Sequence, residues 1–360
     1  LLLTKAFGVF IMSTKQNPLP GVPNVESPFF DQLFAEESTS PELRSIALSL
    51  AQDGYAVIDF PDDDISEMAD RIRTDLNDWY DWDARAAGRG VDMRLQDAWK
   101  FHDDVRRIAV NPKIIDLLSQ LYGRKAWPFQ TLNFPVGTQQ HFHTDSVHFS
   151  SMPERYMCGV WVALEDIGPD QGPVIYYPGS HRWPIYTNEH IGYRPTRVRT
   201  TQMVYEGLWS QLVAASGIEP RKLTIKKGQA LIWLANLMHG GDVHLDQSKT
   251  RWSHVTHYFF EGCVYYTPMN SDVPGGLVDT RSPYNIILEE KAENSSLGHA
   301  LRPEFVEMTS AARYFSGEPE DDFDAAAYLL ANPDVAAAGE DAYAHWIKHG
   351  RMEGRALRPV

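Results

Sequence analysis

The chain has 360 residues, 43% of them hydrophobic and 22% charged, a composition that excludes whole-chain disorder and leaves room for one large core plus an appendage. Lys and Arg number 33 against 48 Asp and Glu, and the net charge of −15 argues against a nucleic-acid partner, since phosphate-backbone binders need clustered positive charge. Two cysteines, Cys158 and Cys263, are too few for a disulfide framework or a Cys-rich zinc site, so a reducing, cytoplasmic setting is expected and the 13 histidines become the expected metal ligands.

Residues 1–12 are apolar, but Lys5 is their only basic flank and no small-residue cleavage site follows. A secretory signal is therefore not expected, and a natural start at Met12 is the alternative. No apolar run reaches the roughly 18 residues that a membrane span needs. Residues 13–40 are rich in Ser, Pro, Asn and Glu without periodicity, so residues 1–40 are expected to form a disordered or tethered arm. Pro41 opens a helical pattern (Leu43, Ile46, Ala47, Leu50) that Gly54 ends, and residues 55–60 follow as a short strand. A second amphipathic helix runs through Ile65, Met68, Ile72, Leu76 and Trp79, and a third spans residues 114–122.

From Trp127 the period becomes strand-like, with short β-rich runs at 129–134, 139–143, 156–164, 174–177, 223–225, 229–233 and 252–260. This spacing suits a mainly β fold with flanking helices, an antiparallel double-sheet jelly roll with the helices packed on one sheet. The long insertion at 183–219 is expected to be a functional or mobile loop. An acidic linker at 316–324 then precedes a small helical module at 325–360, whose Tyr328, Leu329, Val335, Tyr343, Trp346 and Ile347 suffice for a mini-core.

The chemistry concentrates in FHTDSVHF, where His143 and Asp145 stand two apart near the end of an expected strand. Residues i and i+2 of a strand point to one side, so an imidazole and a carboxylate would converge. His239, in the MHGG that follows the strand-like GQALIW, supplies a second imidazole flanked by glycines that admit close backbone approach. Two histidines and one carboxylate form a facial triad, which leaves three positions of an octahedral Fe(II) open, whereas zinc favours tetrahedral closure. Arg251 opens a strand 12 residues beyond His239 and offers a fork suited to a carboxylate, a surface ion pair being its plainer alternative.

The run from QTLNFPVGTQQHFHTD through CGVWVALEDIGPDQGPVIYYPGSH to GQALIWLANLMHGG and Arg251 resembles the phytanoyl-CoA dioxygenase family of Fe(II)/2-oxoglutarate oxygenases, over about residues 41–300 of a domain placed at 41–315. The resemblance implies a double-stranded β-helix (jelly-roll, cupin-like) core, His143, Asp145 and His239 as iron ligands, and Arg251 as the anchor for the distal carboxylate of 2-oxoglutarate. It also places Trp161, 18 residues after His143, and Gly241 on the co-substrate pocket. The interval from His239 to Arg251 is one residue longer than is common in the family, and His244 is a poorer alternative ligand. Relatives that halogenate replace the carboxylate with a small residue. With Asp145 retained, the resemblance implies hydroxylation or other oxidation of a C–H bond, with O2 and 2-oxoglutarate giving succinate and CO2. The C-terminal NPDV…HW…EGR text resembles a small helical module of bacterial proteins, often glycan-related or secreted, and implies a protein or glycan-related partner at most.

Lys100, Asn133 and Gln140 are further candidate contacts to co-substrate or substrate, solvated or sheet-edge positions being the alternative. His148 and His141 flank the triad as candidate substrate contacts. His254 and His257 should face opposite sides of their strand, so only one can line a pocket. His181 should brace the turn at Pro178 and Gly179. Arg194, Arg197 and Arg199 are candidates to meet an anionic or carrier-linked small-molecule substrate. Residues 31–90 carry 15 acidic and 5 basic side chains, whereas residues 91–260 carry 15 acidic and 18 basic. The acidity thus lies in the flanks, and the catalytic block suits a dianionic co-substrate. Two other readings of the same residues remain: a cupin-like binding or regulatory protein without turnover, and a metal-dependent isomerase or hydrolase, which would not need Arg251.

Overall fold

The computed structural model describes residues 16–89, 93–193, 202–274, 278–302, 324–339, 341–346, 349 and 355–356. Eleven strands build the core: β1 (Tyr55–Asp59), β2 (Leu95–Gln96), β3 (Ala126–Phe134), β4 (Ser150–Met152), β5 (Met157–Ala163), β6 (Val174–Tyr176), β7 (Arg221–Lys222), β8 (Gln229–Leu234), β9 (His239–Gly241), β10 (Ser253–Phe260) and β11 (Val264–Tyr266). The main sheet has the order β1-β8-β5-β10-β3-β2, and all its pairs are antiparallel. A second sheet, β7-β6-β9, and a β11-β4 pair complete the jelly roll.

Alternation along the main strands makes two cores. On the outer face Val160, Val162, Ile232 and Leu234 join Leu50, Met68, Ile72 and Leu118 from the helices. On the inner face Trp161, Leu231, Trp233 and Val255 meet Val174, Tyr176, Leu223 and Ile225 of the opposing layer. Each such side chain contributes about 1.5–3 kcal/mol on burial, so the two faces fix the register. The helices are α1 (Phe30–Leu33), α2 (Pro41–Asp53), α3 (Ile65–Leu76), α4 (Trp82–Ala86), α5 (Asp103–Ala109), α6 (Pro112–Tyr122) and α7 (Gln202–Ser216). Ser40 caps α2 by accepting from the Leu43 N–H, Pro41 sits in its first turn, and Gly54 ends it at φ 87°. Asn111 and Gly123 perform the same two tasks for α6.

Of the arm expected to be disordered or tethered, residues 16–40 place Val25, Leu33 and Phe34 in the outer core and pair Glu26 with Arg155 at 2.6 Å. Three sequence expectations need correction. Residues 139–143 are not a strand; only His143 pairs, in an isolated bridge with His239. The 183–219 insertion contains α7, whose Tyr205 and Trp209 bury against Val147, Tyr177, Met238 and Met269. The expected strand at 223–225 is displaced, with β7 at Arg221–Lys222 and Ile225 only bridging Ile167. In the C-terminal module Tyr328, Val335 and Ala342 are buried with Leu329 and Trp346 against them, while Ile347 lies outside the described residues.

Candidate metal centre

The His143–His239 bridge is the foundation of the site. Each residue's N–H donates to the other's carbonyl, at 2.8 and 2.9 Å, which sets both imidazoles on one side with ring centroids 4.6 Å apart. Asp145 reaches them differently from the i, i+2 strand geometry expected: it opens a 3-10 turn, Asp145–Val147, whose Ser146 N–H donates to the Ala235 carbonyl beyond β8. The outcome is one cluster in which the ligating atoms of His143, Asp145 and His239 all lie within 4.8 Å of one another.

The donor set fits a divalent iron. Nδ1 of His143 bonds the His141 carbonyl at 2.9 Å and Nδ1 of His239 bonds the Leu237 carbonyl at 2.9 Å. Both rings therefore carry their proton on Nδ1 and present Nε2 as a lone pair. Nε2 of His143 stands 3.7 Å from Asp145 Oδ1, and Nε2 of His239 stands 3.9 Å from Oδ2. Burial first, then neighbouring His239, pushes the His143 pKa down and keeps it a neutral ligand. Burial alone would raise the Asp145 pKa, but His239, His257, His143 and the Trp233 N–H outweigh it and hold the carboxylate ionised. Among the described residues no other group of three such side chains converges.

The cluster lines a cavity of about 610 Å³ that opens between the two sheets. Arg251, 3% exposed, lies in its wall with the guanidinium 5.6 Å over the Trp161 ring. Its Nε donates to the Gly172 carbonyl at 3.1 Å and Nη1 to Ser253 Oγ at 3.2 Å. Burial lowers its pKa to about 10 with Glu165 acting in the opposite direction, so it stays charged near neutrality. No carboxylate among the described residues comes within ion-pair reach of it. Gly241 lies in the same wall, where a Cβ would meet the Gln139 and Gln140 nitrogens at 2.8 and 3.0 Å, so no side chain fits there. Gln140 and His148 also line the cavity.

Three candidates, Asn133, Lys100 and His141, do not line the cavity. Asn133 alternates away from cavity-lining Leu132 and Phe134 onto the outer face, opposite His254. Lys100 is largely exposed, 3.6 Å from Asp97. His244 stands outside the cluster with Nε2 on the Asp246 carbonyl, which leaves His239 as the second imidazole. His141 bonds Ser210 from α7 and does not line the cavity. His181 holds the Ala51 carbonyl at the end of α2 rather than bonding within the turn at Pro178 and Gly179. Arg194, Arg197 and Arg199 lie outside the described residues.

Sequence reasoning passed over Trp233 and Arg281 and left open which of His254 and His257 faces inward. Trp233, at the end of β8, donates from Nε1 to Asp145 Oδ2 at 2.8 Å. His257 is the one of its strand pair that faces inward, with Nδ1 2.9 Å from Gln130 Oε1. Arg281 lines the cavity and lies 4.7 Å over the Phe149 ring. Odd-numbered alternation from Arg251 was a usable signal for His257; the other two depend on long-range packing.

A jelly roll holding two imidazoles and one carboxylate around an open cavity defines a non-haem iron site. The chain belongs to the phytanoyl-CoA dioxygenase (PhyH) family, whose profile matches residues 38–249. It is accordingly an Fe(II)- and 2-oxoglutarate-dependent oxygenase. Among solved structures it is similar to the non-heme alpha ketoglutarate dependent carbocyclase SnoK from nogalamycin biosynthesis, at 15% identity and TM-score 0.49, over 64% of this chain and 87% of that one. It is also similar to the epimerase SnoN of the same biosynthesis, at 18% identity and TM-score 0.47, over 73% and 97%. EctD from S. alaskensis with 2-oxoglutarate and 5-hydroxyectoine matches at 18% identity and TM-score 0.46, over 64% and 79%.

Proposed function

We propose that this chain hydroxylates a C–H bond of a small anionic organic substrate, with His143, Asp145 and His239 holding Fe(II) and Arg251 holding the far carboxylate of 2-oxoglutarate. The observation that carries the reading is Arg251: a buried, charged guanidinium without a carboxylate partner among the described residues, in the same cavity as the triad. Such a group is costly to bury unless a ligand completes it. When bound, the iron and its co-substrate supply the oxidising power, turning 2-oxoglutarate and O2 into succinate and CO2. The protein's part is positional. Trp161 gives Arg251 a flat support, Gly241 lets the backbone of residues 139–140 pack against β9, and Leu132, Phe134, Val174 and Val255 keep water from the surrounding wall.

The type of side chain in the wall supports the substrate class. Arg94 and Arg281 line the cavity in addition to Arg251, while Asp145 is the only carboxylate among the described lining residues. A carboxylate or phosphate on the substrate is the group that guanidinium forks in a cavity wall recognise. The test is succinate release with Fe(II), 2-oxoglutarate and O2, across organic acids and phosphates paired with their neutral esters. Stimulation by the anions over their esters supports the reading. Stimulation by neutral compounds alone overturns the substrate class, and no 2-oxoglutarate turnover under any condition overturns the function. The same reading assigns the oxygenase to residues 41–315 and treats residues 325–360 as a separate helical module, so deletion of 318–360 should leave turnover intact. A cytoplasmic location fits the two buried free thiols.

A further inference from the structure

We propose that Trp233 is a positioning residue that turns Asp145 into a one-oxygen ligand and thereby keeps the remaining coordination positions of the iron free. The inference rests on the iron-site reading above. A carboxylate beside a metal can bind through one oxygen or both, and a two-oxygen mode would consume a position that the co-substrate needs. Here the two oxygens are made unequal. Oδ1 stands 3.7 Å from Nε2 of His143 and Oδ2 3.9 Å from Nε2 of His239, but Oδ2 alone accepts a side-chain hydrogen bond among the described residues, from the indole N–H of Trp233 at 2.8 Å. The hydrogen bond ties Oδ2 to β8 and leaves Oδ1 as the oxygen free to ligate.

The indole can do this only because of what lies opposite it. Trp233 pairs in register with Gly159 of β5, and its ring lies flat across that glycine. A Cβ at position 159 would meet Trp233 Cζ2 at 2.1 Å and Cε2 at 2.3 Å, so any larger residue displaces the ring. The same ring stands 5.1 Å from His239 and 6.1 Å from His257, centroid to centroid, and so also walls the second imidazole. At the other end, Asp145 is fixed through its backbone, whose carbonyl accepts from the His148 and Phe149 N–H groups. Main chain and one carboxylate oxygen are thus both fastened, and Oδ1 is the oxygen that carries no competing hydrogen bond among the described residues.

The experiment compares unaltered protein with Trp233→Phe, which keeps an aromatic ring and removes the N–H. Mn(II) dissociation constants are read by EPR, and 2-oxoglutarate dissociation constants are read on the Mn(II) form under argon. The expected result is a rise of about tenfold in the Mn(II) constant, the range typical of a lost hydrogen bond to a ligating carboxylate, with weaker 2-oxoglutarate binding and an unchanged circular dichroism spectrum. Equal constants in the two proteins overturn the inference. Unaltered protein that binds no Mn(II) overturns the iron-site reading instead. Should the variant fail to fold, indole 15N–1H spectra of the unaltered protein decide. Zn(II), as a diamagnetic probe, should shift an indole resonance among the ten tryptophans, and Asp145→Ala should abolish that response. Ten indole signals indifferent to Zn(II) contradict the proposal.

Discussion

His143 and His239 are joined by two reciprocal backbone hydrogen bonds of 2.8 and 2.9 Å, although 96 positions separate them in the chain. The bridge needs tight approach of the neighbouring backbone. At Gly240 a Cβ would meet Phe142 Cα at 2.8 Å and the Gln140 carbonyl oxygen at 2.9 Å, both main-chain atoms that no rotamer change can move. Gly240→Ala should therefore weaken Mn(II) binding and cost about 1–3 kcal/mol of stability, as overpacking does. Gly207, within α7, meets nothing within 4 Å, so Gly207→Ala should raise the thermal midpoint by an amount worth up to about 1 kcal/mol. Thermal melts and Mn(II) titration of the two variants check the contrast; two variants of similar behaviour would contradict it.

Arg251 separates co-substrate binding from metal binding. Arg251→Gln should raise the 2-oxoglutarate dissociation constant about a hundredfold, since truncating one side of a buried charge pair costs about 2–5 kcal/mol. The Mn(II) constant should change little, because Arg251 is no part of the His143, Asp145 and His239 cluster. Calorimetric titration of both ligands on the same preparation reads the split.

How much of this was legible in the sequence depends on range. Local signals placed α2, β1 and α6 within a residue or two, because Ser40, Pro41, Gly54, Asn111 and Gly123 act on their own neighbours. The triad residues were legible from type and spacing, but the strand geometry assigned to His143 and Asp145 was not what joins them. That junction is a bridge to His239 and a 3-10 turn held from β8, both set by distant pairing. Asn133 was misplaced because its face depends on the register of β3 with β10, which a one-residue slip inverts. Helix α7 was hidden in a text read as loop although Tyr205, Leu208, Trp209, Leu212 and Val213 recur at helical spacing on one packed face, because exposed Val204 and the neighbouring alanines blur that stripe.

Acid should destabilise the fold through His181. Burial pushes its pKa down from 6.5 to about 4 in the folded protein, while its Nε2 stays bonded to the Ala51 carbonyl. The unfolded chain then binds a proton below about pH 6.5 that the folded chain refuses until about pH 4, so stability falls as pH drops through that window. The loss across the window reaches up to about 3 kcal/mol, because excluding one proton costs about 1.4 kcal/mol for every pH unit below 6.5. Metal-free protein should show a falling thermal midpoint from pH 6.5 to 4, and His181→Gln should flatten part of that slope. A variant with an unchanged slope would contradict the assignment.

The central claim is that His143, Asp145, His239 and Arg251 together bind iron and 2-oxoglutarate in one cavity. Under argon, addition of 2-oxoglutarate to the Fe(II)-loaded protein should produce a weak visible charge-transfer absorption, and His143→Ala and Asp145→Ala should each abolish it. Unaltered, iron-loaded protein that shows no such absorption at saturating 2-oxoglutarate would contradict the account.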